Sequence, residues 1–113
     1  MTDRDLLARL LHAAVAVAQP GPGIRANLPP VPKGRTVVIG AGKASAQMAR
    51  AVEAAWDGLL SGLVMVPHGT ADACARIELA HAAHPVPDEA GLAAAGRLLD
   101  RVAGLTADVS WVT

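Results

Sequence analysis

The sequence contains no phenylalanine and no tyrosine, and its aromatic content is two tryptophans in 113 residues. A core made from it must rest on alanine and branched aliphatic side chains. These let helix and sheet approach closely but bury little area per residue. Cysteine occurs once, at Cys74, which excludes an intramolecular disulfide and fits a reducing compartment. Arg76 alone does not make a basic surrounding for that thiol, so Cys74 reads as a bystander. An excess of charge is also missing, because ten Lys and Arg cancel ten Asp and Glu. A balanced chain has no electrostatic reason to seek nucleic acid or an anionic membrane. No apolar run approaches the roughly 18 residues of a membrane span. The N-terminus carries Asp3, Arg4, Asp5 and Arg9 among its leucines, unlike a secretion signal. The expectation is a cytoplasmic protein with one modest domain, since 113 residues are enough for one core and too few for two.

What is present centres on Arg35-Thr36-Val37-Val38-Ile39-Gly40-Ala41-Gly42-Lys43-Ala44-Ser45. A β-branched run, two glycines one residue apart, a lysine and an alanine-rich segment predict a strand, a tight turn and a helix start. That arrangement presents backbone N–H groups to an anion. Gly40 and Gly42 give the backbone room to turn and a ligand room to approach. Lys43 then lies in the first helical turn, next to the positive end of the helix dipole, where a cation is locally unfavourable unless an anion joins it. The plainer alternative is a solvated lysine after an ordinary glycine turn. Two stricter templates fail here. The dinucleotide fingerprint G-x-G-x-x-G has Ser45 in its third glycine place, and the Walker pattern has Val37 and Ala44 where Gly and Ser or Thr are required.

Taken in order, Thr2 and Asp5 form a capping box. Leu6, Leu7, Leu10, Leu11, Ala14 and Val15 give an apolar stripe for a helix over 3–18, with His12 as a solvated residue. The prolines and glycines of 19–34 predict an irregular crossing loop. A strand over 36–39 without polar alternation suits a sheet covered on both faces. A helix over about 43–57 follows, with Met48, Val52, Ala55 and Trp56 facing the sheet and Asp57-Gly58 as its stop. Leu63-Val64-Met65-Val66 is the next strand, completing a βαβ unit. Pro67-His68-Gly69-Thr70 then falls at a strand's C-terminal end, where open α/β sheets place ligands, so His68 is a candidate beside Lys43 or a loop histidine in water. Residues 76–80 suggest an edge strand. In His84-Pro85-Val86-Pro87-Asp88-Glu89, Asp88 is placed as a helix cap or as a ligand. The helix over 88–103 should bury Leu92, Ala95, Leu98, Leu99 and Val102 and stop at Gly104. Asp108 to Thr113 begin a further strand. The predicted fold class is α/β, an open and mostly parallel Rossmann-like sheet with flanking helices. A chain that stops inside a strand is expected to be a partial domain, with a sheet edge open to self-association.

Val37-Val38-Ile39-Gly40-Ala41-Gly42-Lys43-Ala44, Met48-Ala49 and Ala83-His84-Pro85-Val86-Pro87-Asp88 together resemble the glycerate 2-kinase family of the MOFRL type, whose members are often labelled hydroxypyruvate reductases. The likeness runs from the opening helix to about Asp108. It implies that residues 1–113 are the N-terminal part of a two-domain enzyme that moves the γ-phosphoryl of ATP, with a divalent metal such as Mg, to glycerate. By position, Lys43 matches the family's active-site lysine, and Gly40 and Gly42 match its loop. Ser45, His68, His84 and Asp88 complete the expected substrate- and phosphate-binding set, and no residue is assigned to a metal. The chain departs from the family after Asp108, and the segment alone is expected to be inactive. The competing readings are a nicotinamide-dependent hydroxypyruvate reductase and a non-enzymatic α/β module that binds an anion or a partner.

Overall fold

The computed structural model describes residues 1–107 and the backbone of 110–112. Its order is α1 (Asp3–Ala18), α2 (Pro20–Asn27), β1 (Thr36–Ala41), α3 (Ser45–Ala55), β2 (Leu60–Pro67), β3 (Ile77–Ala82), α4 (Glu89–Val102) and β4 (Ser110–Val112). The strands form one sheet in the order β3-β2-β1-β4, and every neighbouring pair is parallel. The expected α/β fold with an open parallel sheet is what the chain adopts. Both predicted strands lie in it as neighbours, with Ile39 opposite Leu63. β3 stands at the edge, as its short and partly polar sequence suggests. Of the C-terminal strand, Ser110–Val112 pairs with β1, while Asp108, Val109 and Thr113 lie outside the described residues.

The absence of polar alternation in β1 and β2 follows from a helix layer on each face. Val38, Val64, Val66 and Ile77 pack with Ala46, Ala49 and Val52 of α3 on one side. Leu63 and Ala80 pack with Ala94 of α4 on the other. Small residues carry both contacts, so the layers sit close and no aromatic ring is needed to fill them.

Several local expectations give way. Residues 20–27 are helical, not irregular, because Pro20 and Pro22 occupy the first turn, where a missing N–H removes nothing and φ is already helical. The resulting α2 lies on α3 and brings Ile24 and Leu28 to the core. α3 ends at Ala55 without a glycine turn. Its last carbonyls are taken instead by the Arg76 guanidinium, which donates to the oxygens of Glu53, Trp56 and Gly58. α4 uses Asp88 as its cap and Gly104, at φ 73°, follows its end as expected. Its buried face, however, is Ala94 with Leu98, while Leu92 and Leu99 are exposed. α1 forms with its capping box intact, yet it buries none of its residues. It projects from the sheet, giving extents of 59 × 36 × 19 Å and a radius of gyration of 16.8 Å. A compact chain of this length would have about 13 Å.

The tightest point of the sheet is Gly62, at φ 154° and opposite Val38. A Cβ there would stand 1.9 Å from the Val38 carbonyl oxygen. Gly40 is different, since a Cβ would meet only Val64 methyls, at 3.9 and 4.0 Å. Gly62→Ala is therefore expected to cost at least ~3 kcal/mol, through backbone strain and overpacking, and to unfold much of the population. Gly40→Ala should stay within about 1 kcal/mol of wild type. Urea titrations of the two variants check the contrast.

Candidate functional site

The site lies at the C-terminal edge of the sheet, where β1 hands over to α3. Gly42 has φ 138°, a conformation that L side chains rarely adopt, and a Cβ there would meet nothing within 4 Å. Its glycine is required by the backbone and not by crowding. Gly40, expected to share that duty, belongs to β1 and takes no part in the turn. The turn is fastened from below. The Gly42 N–H donates to the Met65 carbonyl at 3.3 Å, and the Ser45 hydroxyl lies 2.6 Å from the Gly42 carbonyl and 2.7 Å from that of Met65. Ser45 is buried, and its single proton is shared by two backbone oxygens. The structure thus gives Ser45 the task of holding the turn.

Lys43 precedes the helix and does not lie in its first turn, because α3 begins at Ser45 with Ala44 at the N-cap. It is exposed, and among the described residues it forms no ion pair. Ala44 offers no side-chain acceptor; in the first turn of α3 the Ser45 N–H donates to the Gly42 carbonyl at 3.3 Å, and those of Ala46 and Gln47 receive no side-chain cap. A cation and an uncapped helix start therefore stand side by side.

The loops after β2 and β3 form the opposite wall. A hollow of about 180 Å³ is lined by Gly42, Met65, Pro67, Ala83 and His84. His84 is exposed there, and its bond to Pro85 is cis. A larger groove of about 540 Å³ adjoins Gly40 and Ser45 from the α2 side and is lined mainly by Ile24, Leu28, Ile39 and Met48. Among the described residues, no group of three or more His, Cys, Asp or Glu side chains converges as a metal centre would require. Burial pushes the Cys74 thiol up, in keeping with a bystander.

His68 and Asp88, weighed separately in the sequence, are partners. His68 Nε2 lies 2.9 Å from Asp88 Oδ2. Asp88 Oδ1 accepts the N–H of Gly91 at 2.8 Å, as the cap of α4, and that of Ala83 at 3.2 Å. The hydrogen bond from His68, followed by those from Gly91 and Ala83, holds the carboxyl down at about 2. Twenty residues separate the pair, and only the adjacency of β2 and β3 brings them together. No local motif could announce it.

A carboxyl with a depressed folded pKa binds fewer protons than its unfolded counterpart. Its contribution to stability is therefore complete above the ordinary value of 3.8 and is lost as pH falls from there through about 2. The stability gap between wild type and Asp88→Ala should be constant above about pH 5 and close progressively between about pH 4 and 2. Thermal melts of both proteins across that range measure it, and a gap that widens on acidification contradicts the assignment.

Residues 6–112 match the family described as a domain of unknown function, DUF4147. A protein of Agrobacterium vitis named "Putative hydroxypyruvate reductase" is 50% identical over 106 residues, which is 93% of this chain and 24% of that protein. A protein named glycerate 2-kinase from Pyrococcus horikoshii is 37% identical over 67 residues, 59% of this chain and 15% of that one. A crystal structure of a P. horikoshii protein superimposes with a TM-score of 0.78 at 26% identity, covering 98% of this chain and 28% of that chain. The chain thus spans about a quarter of the length of these relatives. With 107 of its 113 positions inside one family match, and with the fold shared, the chain belongs to the DUF4147 family, the N-terminal part of the MOFRL-type glycerate 2-kinase family, whose relatives carry both the kinase and the reductase name.

Proposed function

We propose that this chain supplies the substrate-side anion site of an ATP-dependent glycerate 2-kinase. The observation that carries the reading is the open N-terminus of α3 with the exposed Lys43 ammonium beside it, at the C-terminal edge of a parallel sheet. The N–H groups of Ala46 and Gln47, together with Lys43, would compensate the charge of a carboxylate or of a phosphoryl group in transit. Phosphoryl transfer depends mainly on positioning and charge neutralisation, which suits a rigid turn of this kind.

ATP and Mg do not fit on the residues of this chain alone. The hollow beside Gly42, at about 180 Å³, is smaller than the ~300 Å³ at the low end of ligand pockets. The larger groove has room, but no charged side chain lines it to meet phosphates or a metal. Nucleotide and metal would need donors from outside these residues, so the segment by itself should release no ADP in response to glycerate. A nicotinamide-dependent hydroxypyruvate reductase draws support from the name of the A. vitis relative. The third-glycine place holds Ser45, however, and His68 follows β2 where a ribose-binding acid would be needed.

Amide chemical-shift titrations of the chain with glycerate, phosphoglycerate and NADH separate these readings. Glycerate and phosphoglycerate should move the signals of residues 42–47. Lys43→Ala should weaken that binding about fivefold, the ~1 kcal/mol of one solvent-exposed charge contact, and added salt should weaken it further. Shifts that ignore the Lys43 substitution would remove the lysine from the site. Saturable NADH binding without a glycerate response would replace the kinase reading with the reductase.

A further inference from the structure

His68 is held more firmly than its exposure suggests. Its N–H donates to the Ala82 carbonyl at 2.9 Å, tying the loop to the end of β3. The Pro67 carbonyl accepts both the N–H and the hydroxyl of Thr70, at 3.2 and 2.7 Å, and Gly69 takes φ 81°. Residues 67–70 are thus a fastened tight turn with glycine at the third position, where positive φ is required. Pro67 lines the hollow beside Gly42, and His68, with a half-exposed side chain, is the next residue along the chain.

Asp88 is the opposite case, a carboxylate with little capacity left. One oxygen is filled by two backbone N–H groups and the other faces His68 Nε2. A carboxylate is an acceptor only, so the neutral imidazole must place its single hydrogen on Nε2 to make that bond. Nδ1 then carries a lone pair, and among the described residues it has no partner. We propose that Asp88 is a positioning residue, one whose Oδ2 fixes His68 as the Nε2–H tautomer and leaves Nδ1 to accept a hydrogen bond from the hydroxyl of a hydroxy-acid substrate in the crevice. The ligand half of this assignment rests on the kinase-type reading of the site; the tautomer half does not. The sequence left Asp88 as a helix cap or a ligand. Its negative charge would repel a carboxylate or phosphate, whereas a neutral imidazole acceptor discriminates for a hydroxyl beside them.

Asp88→Asn tests the latch without removing the helix cap. The N–H groups of Gly91 and Ala83 both need an acceptor, so the amide oxygen must take the Oδ1 place and the NH2 must face His68. That NH2 donates to Nε2 and drives the ring hydrogen to Nδ1. Long-range ¹H–¹⁵N imidazole spectra at about pH 9, where imidazoles are neutral, should show Nε2–H for His68 in wild type and Nδ1–H in Asp88→Asn. The backbone amide spectrum should otherwise keep its dispersion. A carboxylate that merely caps α4 would leave the same tautomer in both proteins, and that result overturns the proposal. Glycerate should shift the wild-type His68 Nδ1 signal and bind Asp88→Asn about tenfold more weakly, because the Nδ1 acceptor has become a donor. A tautomer switch with no His68 response to glycerate in wild type would keep the latch and overturn the hydroxy-acid assignment.

Discussion

β1 and β2 meet with no clearance at Gly62, whose missing side chain is the space the Val38 carbonyl occupies. The register set there runs from Thr36 opposite Leu60 to Ala41 opposite Met65. It decides more than the sheet. The Met65 carbonyl receives both the Gly42 N–H and the Ser45 hydroxyl, so the turn that presents Lys43 is fastened to β2 and not to its own strand. A slip of one residue would reverse every side chain of β2 and remove that carbonyl from the turn. The position of the lysine is thus inherited from a contact three residues away along the two strands.

The far end of α3 transmits the same rigidity to the other wall. Arg76 takes the helix's last carbonyls, and the Glu53 carboxylate accepts the N–H groups of Ala75, Arg76 and Ile77. Burial opposes the charge on Glu53, but the three N–H groups and the Arg76 guanidinium outweigh it and hold its carboxyl below the ordinary value. These bonds fix where β3 begins. Because β3 pairs with β2 from Ile77 to Ala82, they also fix where it ends, which is where Ala83, His84 and Asp88 leave the sheet. One helix, tied at both ends, aligns the two loops of the crevice.

The parts of this arrangement that depend on a local period or a local cap were legible in the sequence. Unbroken apolar runs gave away both central strands, and Thr2 with Asp5 and Asp88 before Glu89 marked two helix starts correctly. What was not legible depends on partners distant in the chain. The Pro-rich stretch after α1 reads as a loop until one counts its prolines as first-turn residues and gives Ile24 and Leu28 a core to face. The apolar side of α4 is chosen by the small Ala94, which allows close approach to Leu63 and Ala80, over larger leucines two and five positions away. Gly62 stands just before the predicted strand 63–66, and only the 1.9 Å approach shows why nothing else fits. The His68–Asp88 bond likewise needs the strand order before it can be seen.

Two helices begin along this same edge, and the contrast between them is the best internal guide to what the edge is for. α4 begins with its own carboxylate: Asp88 accepts the N–H of Gly91 and is in turn satisfied by His68. Nothing anionic is needed there. α3 begins with Ala44, which forgoes about 1 kcal/mol relative to a Ser, Thr, Asp or Asn at that position. It is preceded by a lysine, whose charge is unfavourable beside the positive end of a helix. Each choice alone could be accidental drift at a surface turn. Together they make the start of α3 short of negative charge in two independent ways, beside a glycine whose φ of 138° keeps the approach open. A sequence that gives one helix a carboxylate cap and its neighbour no side-chain cap, with a cation added, has an energetic conflict that an incoming anion resolves.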